Sequence, residues 1–391
     1  MELSGRTIVF VNNYAGPSLG GGEVHLINVV GACLAEGMAV HVLCEPGGGL
    51  ATALDGLGVT VVPFRASPAK LFGVVRDVRS YCGRAGADIL HATGFWTGIV
   101  SRLAARTTGL ALVNSIQCEP DASLAEGGSR LVHALRNVVD RATVGRVDAI
   151  CAVSAAVAKK LEAIGYPAER IRIVANGVDI GAIRAAAAES DASLPDGFGP
   201  GVPVVGMVAR LVPVKAADDF LRAAALVLAV RPDTRFVLFG DGPLAGPLKL
   251  LARELGLDDR IAFVPGTGTS PMPYLARFDI NVLTSRSEGA GLVLLEGMAL
   301  SKPCVAMNVG GVPEIVLDDE TGILVQPRSV SGIAAGILEL LADPQRAAAM
   351  GAAGRRHVEE EYSIGRMGSL YLQVYRDVLD ACGPDDSEVA L

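Results

Sequence analysis

The chain has 391 residues, 50% of them hydrophobic and 19% charged, with a formal net charge of −8. That length exceeds one ordinary core and favours two domains of about 150 to 200 residues, and the apolar content excludes a disordered chain. The acidic balance argues against a nucleic-acid partner, which selects for basic excess, but leaves room for a local basic pocket for phosphates.

The first half alternates short Val/Ile-rich runs with helical patterns. Strands are expected at Thr7–Val11, Ala39–Leu43, Val59–Val62, Asp88–His91, Leu110–Val113, Asp148–Val153 and Ile171–Val174. Gly20-Gly21-Gly22-Glu23 follows the first of them and opens a helix at Val24, and bare glycines let backbone approach a bulky anion or a sugar. As a dinucleotide fingerprint this stretch is incomplete, because His25 stands where a third glycine belongs; a plain flexible loop is the competing reading. One helix is well delimited, with Ser154 as N-cap, residues 155–164 as body and Gly165 as the stop.

From Ile180 the pattern breaks, and the Ala-, Ser-, Asp-, Gly- and Pro-rich residues 184–201 read as a linker. A second series of strands follows at Val204–Val208, Phe236–Phe239, Ile261–Val264, Ile280–Leu283, Cys304–Ala306 and Ile323–Val325, and a last helical pattern begins at Ile364. Continuous apolar strands alternating with helices define an α/β chain of two Rossmann-like, doubly wound parallel-sheet domains, residues 1–183 and 202–363. Such domains are expected to face a cleft, because ligands sit at the carboxyl ends of parallel strands.

The most informative stretch lies in the second half. Ser285-Arg286-Ser287-Glu288-Gly289-Ala290-Gly291-Leu292-Val293-Leu294-Leu295-Glu296 places a carboxylate, a glycine-loosened turn and a helix start directly after a buried strand. The free N–H groups and positive dipole end of that helix suit a phosphate, and the flanking carboxylates Glu288 and Glu296 suit hydroxyls. The spacing of the two glutamates is weak evidence alone; its place after a strand is what raises it. Arg210 and Lys215, just past the strand Val204–Val208, would clamp a diphosphate, Arg as a fork and Lys as a point charge. Gly240-Asp241-Gly242-Pro243 closes the next strand with a tight turn.

Taken in order, GGGE (20–23), VSAAV (153–157), NGVD (176–179), VARLVPVK (208–215), GDGP (240–243), SEGAGLVLLE (287–296) and GGVPEIV (310–316) resemble the family 4 glycosyltransferases, retaining enzymes of GT-B architecture, over nearly the whole chain. The resemblance implies a nucleotide-diphosphate sugar held mainly by the second domain. Arg210 and Lys215 would grip the diphosphate, with the amides of Gly289, Ala290, Gly291, Leu292 and Val293 on its other side. Glu288 would bind donor-sugar hydroxyls and Glu296 the ribose. The base would lie near Gly240, Pro265 and Gly266, and Gly21 and Gly22 would approach the donor phosphate. It also implies that the helix from 364 onward packs back on the first domain, and that the nucleophile is the acceptor itself on the front face.

The acceptor is expected on the first domain, near Glu23, the glycine-flanked loop bearing Trp96, and Gln117 to Asp121, including Glu119. Gln117 stands where many relatives carry His, and it can hydrogen-bond a hydroxyl but cannot titrate. His91 is the alternative at the end of the preceding strand. Two further departures are Ala290 in place of a bulkier residue and Ala216 in place of a glycine after Lys215. No Asp-x-Asp closes a strand, so neither a metal nor any other cofactor is expected, the nucleotide sugar being a co-substrate.

Seven scattered cysteines without a C-x-x-C pair read as reduced thiols, and no run of 18 apolar residues could span a bilayer. With no signal-like start, a cytoplasmic protein is expected, at most peripheral on the inner face of the membrane. Arg130, Arg136, Arg141 and Arg146 stud a helix that also bears Leu131, Val132, Leu135, Val138 and Val139. It suits peripheral contact with anionic lipid, or else is a surface helix with snorkelling arginines. The expected activity is transfer of a hexosyl unit from a UDP- or GDP-sugar to a glycan, a lipid-linked or a small-molecule acceptor. The rivals are a GT-B-like nucleotide-sugar epimerase and a catalytically degenerate binding scaffold.

Overall fold

The computed structural model describes residues 2–13, 19–65, 70–105, 109–120, 130–189 and 194–382. Asp121, residues 190–193 of the expected linker, the side chains of Arg130 and Val132, and the last helix beyond 382 lie outside the described residues. The chain forms two compact units, the first taking in the chain to Gly177 and again from Ile364, the second running from Val178 to Ser363.

The first unit is built on seven parallel strands: β1 (Thr7–Val11), β2 (Ala39–Cys44), β3 (Thr60–Pro63), β4 (Ile89–Thr93), β5 (Ala111–Ile116), β6 (Ala149–Ala152) and β7 (Ile171–Ile173). Their order is β3-β2-β1-β4-β5-β6-β7. The second unit has six, β8 (Val204–Val208), β9 (Arg235–Phe239), β10 (Ile261–Val264), β11 (Ile280–Leu283), β12 (Cys304–Met307) and β13 (Gly322–Val325), in the order β10-β9-β8-β11-β12-β13. In both, the order reverses beside the first strand, which is the doubly wound pattern.

The inner strands are apolar on both faces because helices cover both, while the edge strands β3 and β7 of the first sheet are partly exposed. One cluster joins Ile8 and Phe10 of β1 to Leu26, Val29 and Val30 of the helix Gly21–Ala35, and to Met367, Tyr371 and Tyr375 of the helix Ile364–Cys382. A matching cluster in the second unit joins Val205, Phe220, Phe236, Val282 and Val305.

Entry to the strands uses one device three times. A carboxylate just ahead of a strand accepts the N–H at the start of its neighbour: Asp88 from Thr7 (2.7 Å), Asp148 from Leu112 (2.7 Å) and Asp279 from Val204 (2.8 Å). Each satisfies an amide that the slanted parallel ladder leaves over at its edge.

Residues 180–188 correct the expected break. Asp179 caps a helix, Ile180–Ala188, by accepting from Ala182 N at 2.9 Å, so an alanine-rich run read as linker is helical at its start. Where the chain passes from one unit to the other it does so twice in parallel, Val178 N donating to Tyr362 O at 2.9 Å and Val178 pairing with Ser363.

Candidate active site

The donor candidates gather at the carboxyl edge of the second sheet. Lys215 lies in a short 3-10 turn, Pro213–Lys215, and the buried hydroxyl of Thr284 holds the backbone there by donating to Lys215 O (3.1 Å) and Ala216 O (2.9 Å). Arg286 N donates to Val214 O (2.8 Å), so the end of β11 is stitched to the connection after β8. Ala216 sits in the left-handed region (φ 48°), which costs an L-residue about 1 kcal/mol and explains why glycine suits this position.

These bonds bring Lys215 and Glu288 together. Lys215 Nζ lies 2.5 Å from Glu288 Oε1, and Ser285 Oγ donates to the same oxygen at 2.6 Å. Glu288 is only 8% exposed, and Gly311 N donates to its carbonyl at 3.1 Å. Among the described residues no hydrogen bond reaches Oε2, which is left to accept hydroxyls. A carboxylate this enclosed is stable only because the ammonium and the hydroxyl share it. Ser285, Thr284 and Gly311 were not singled out by sequence reasoning. Ser285 had a signal, since it lies one turn before Glu288 on the same turn-and-helix stretch.

Next to this pair the chain turns through Gly289, Ala290 and Gly291, all buried, into the helix Leu292–Ala299. Gly291 is in the left-handed region (φ 84°), and Leu294 N is bonded back to Gly291 O at 2.9 Å. The amides of Leu292 and Val293 make no backbone hydrogen bond among the described residues, so the helix start is open to an anion. Asn281 of β11 anchors this turn by donating to Val293 O (3.1 Å), and Gly297 allows the close approach, a Cβ there falling 2.5 Å from Asn281 Nδ2.

Glu296 lies about one turn into that helix, half-buried, with no hydrogen bond among the described residues; burial pushes its carboxyl up to about 7. This has a sign. Between the ordinary glutamate range near 4.3 and about 7 the native state holds a proton that the unfolded chain has lost, so stability falls as pH rises through that window. Melts from pH 5 to pH 8 should therefore show the wild type losing ground to Glu296→Gln, and parallel curves would disprove the assignment.

Gly240 and Gly242 close β9 at φ 138° and 156°, jammed against the connection that bears Arg210. A Cβ on Gly240 would run into the Ala209 carbonyl, and one on Gly242 into the Leu211 backbone. Leu211 N donates to Asp241 O at 2.7 Å, and the Asp241 carboxylate accepts from Thr267 N (2.6 Å) and Thr267 Oγ1 (2.7 Å). Gly266 packs on Gly240, a Cβ there lying 3.3 Å from Gly240 Cα, with Pro265 exposed beside it. Three loops thus form one platform, with Arg210 exposed at its rim. Gly240→Ala is expected to cost about 2 kcal/mol or more and to shift this platform; a melt within about 0.5 kcal/mol of wild type would contradict that.

The first unit separates its candidates. Gly21 and Gly22 open the helix Gly21–Ala35, with open space beside Gly22. Glu23 is 7% exposed and reaches back over the helix start, its Oε2 accepting from the N-cap amide, Gly20 N, at 2.9 Å. Gln117 follows β5, and both ends of its amide are shielded and have no hydrogen-bond partner among the described residues. Glu119 is 5% exposed and paired with Lys160 at 2.6 Å.

Two expectations need correction. Trp96 is not in a loop: Gly94 (φ 94°) turns the chain into the helix Phe95–Ala104, and Trp96 sits in its first turn with Nε1 shielded and without a hydrogen-bond partner among the described residues. His91 does not end its strand, because β4 stays paired with β5 through Thr93. It is 1% exposed, its Nδ1 is 2.7 Å from Tyr375 Oη, and burial pushes its pKa down to about 3, with His25 adding to the effect. His91 is a core residue under the last helix and cannot meet an acceptor there.

Two parallel Rossmann-like sheets and a paired carboxylate and lysine beside an open helix start define the GT-B class. Comparison with known proteins places the chain within it. The model described as glycosyl transferases group 1 matches residues 196–357, and that described as Glycosyltransferase Family 4 matches residues 19–181. The D-inositol 3-phosphate glycosyltransferase of Thermobispora bispora is 33% identical over 332 residues, 79% of this chain and 75% of that protein. The GDP-mannose-dependent alpha-(1-6)-phosphatidylinositol monomannoside mannosyltransferase of Mycobacterium tuberculosis is 30% identical over 368 residues, 91% of this chain and 94% of that one. In fold the chain is similar to the Anabaena protein HepE crystallised with UDP (TM-score 0.79, 22% identity, 95% of this chain and 100% of that one). The chain belongs to the family 4 glycosyltransferases of GT-B fold: it is a retaining hexosyltransferase that draws on a nucleotide sugar.

Proposed function

We propose that the second unit holds a UDP- or GDP-hexose with its diphosphate between Lys215, Arg210 and the start of the helix Leu292–Ala299. The observation that carries this is the pair Lys215–Glu288 at 2.5 Å beside that helix. When the anomeric bond breaks, charge grows on the departing diphosphate, and a lysine and helix dipole already aimed there need no reorganisation. Glu288 holds the sugar through Oε2 while its Oε1 keeps Lys215 in place. Glu296 takes the ribose hydroxyls and Gly240, Pro265 and Gly266 flank the base. A thermal-shift screen of UDP, GDP and ADP tests the reading: binding to the native state alone raises the melting temperature, and no shift with any of the three would refute it.

The acceptor belongs to the first unit. The names of both relatives carry an inositol ring, and the hydroxyls of such a ring suit the non-titrating amide of Gln117 and the carboxylates Glu23 and Glu119, with Trp96 beside them. The outer face of the helix Arg130–Val144 favours a lipid-linked form. Leu131, Leu135 and Val138 are 79%, 65% and 65% exposed along one stripe, and Arg141 is exposed beside them. The helix's one carboxylate, Asp140, is turned inward, where it pairs with the buried Arg102 and accepts from Tyr166 Oη at 2.5 Å. What faces outward is therefore apolar or basic, as an anionic bilayer requires. No helix among the described residues is long and apolar enough to cross a membrane. Leu131→Ser combined with Leu135→Ser should abolish sedimentation with phosphatidylglycerol vesicles, and undiminished binding would assign the stripe another role.

A further inference from the structure

Two hydroxyls stand side by side where β11 runs out. Thr284 and Ser285 are both 0% exposed, and they serve different partners. Thr284 holds the backbone of the cation, donating to Lys215 O and Ala216 O, while Ser285 Oγ donates to the carboxylate itself, 2.6 Å from Glu288 Oε1. Ser285 is fixed in place from both sides. Thr284 pins the chain before it, and Arg286 N, donating to Val214 O at 2.8 Å, pins the chain after it.

Lys215 is mounted differently. Its ammonium meets the same Oε1 at 2.5 Å, but it rides a flexible four-carbon stem and its side chain is 21% exposed. A bound diphosphate carries more negative charge than one carboxylate, so the ammonium is drawn toward it. Of the two donors on Oε1, only the serine hydroxyl then stays where it was. A glutamate side chain turns about several torsions, and a buried carboxylate without a fixed donor is both costly and free to rotate.

We propose that Ser285 is a positioning residue for transfer, keeping Glu288 Oε2 turned to the donor sugar once the Lys215 ammonium has moved onto the diphosphate. This rests on the nucleotide-sugar reading and adds a division of labour to it, with Lys215 serving the phosphates and Ser285 the sugar.

Calorimetric titration of the full chain with UDP, GDP, UDP-glucose and GDP-mannose separates the two roles. Ser285→Ala should weaken nucleotide-sugar binding about tenfold, the worth of one hydrogen bond to a charged group, and leave the bare nucleoside diphosphate within about twofold. Lys215 still pairs with Glu288 in that variant, so it should fold. Ser285→Cys, close in shape and a weak donor, gives a second measure of the same loss. Thr284→Val, which loosens the Lys215 backbone, should instead weaken the bare nucleotide and the nucleotide sugar alike. Unchanged nucleotide-sugar binding in Ser285→Ala, an equal loss for the sugar and the bare nucleotide there, or a sugar-selective loss in Thr284→Val would each overturn the proposal. A wild type that binds none of the four compounds would take the nucleotide-sugar reading down with it.

Discussion

Replacing Glu288 by alanine is expected to lower sugar transfer by about two orders of magnitude or more, the usual cost of losing one positioned electrostatic group. The carboxylate has two jobs that geometry separates. Oε1 takes Lys215 at 2.5 Å and Ser285 at 2.6 Å, while Oε2 has no partner among the described residues. Alanine removes both jobs and leaves Lys215 free to swing. Glutamine keeps the shape and can still accept from Ser285, but it gives up the charge that holds the lysine. Glu288→Gln should therefore fold like the wild type and still lose most of the rate. Steady-state kinetics of nucleotide release with acceptor present, read beside thermal melts, checks this. A glutamine variant with wild-type kcat would remove Glu288 from the reaction.

Lys215→Ala should be nearly as damaging to transfer and worse for stability. Its side chain is 21% exposed and that of Glu288 8%, so removing the lysine strands a carboxylate with little water around it. Breaking such a pair costs up to about 3 kcal/mol, less where solvent reaches one partner. Nucleoside-diphosphate affinity should fall together with the rate, because in the proposed site Lys215 would meet the ground-state diphosphate as well as the departing one. Lys215→Arg keeps the charge but replaces a point donor by a planar fork, and should recover stability more fully than rate. Melting curves and nucleotide titrations of the two variants decide the matter. An alanine variant that binds UDP and GDP as the wild type does would sink the diphosphate assignment.

The parallel strands were legible because burial on both faces makes the inner ones continuous apolar runs, and the short, partly exposed edge strands β3 and β7 still carry Val or Ile where the sequence placed them. Glu288, Lys215 and the glycines at 240 and 242 were legible for a related reason. They follow strands directly, and a residue just past a parallel strand has few places to be. The misreadings share a cause as well. His91 looked like a strand end because Ala92 and Thr93 carry weak strand signals, yet their pairing with β1 and β5 extends the strand past it. Trp96 looked like a loop residue because Gly94 and Gly98 flank it. Gly98 is in fact a helical residue kept small by Asn114, whose side chain occupies the space a Cβ would take. Residues 180–188 were read from composition, which does not distinguish an alanine-rich helix from an alanine-rich linker.

Local pattern and chain order were enough for the α/β class, the two-part organisation of strands and the residues from which a diphosphate grip is proposed, since each depends on residues close in sequence or on a period that burial imposes. Tertiary structure alone decided that Thr284 holds the Lys215 turn, that Ser285 and Lys215 share one oxygen of Glu288, that the surroundings of Glu296 push its carboxyl upward, and that His91 belongs to the core. Desolvation and hydrogen-bond sharing are properties of surroundings, and those surroundings are assembled from segments far apart in the chain.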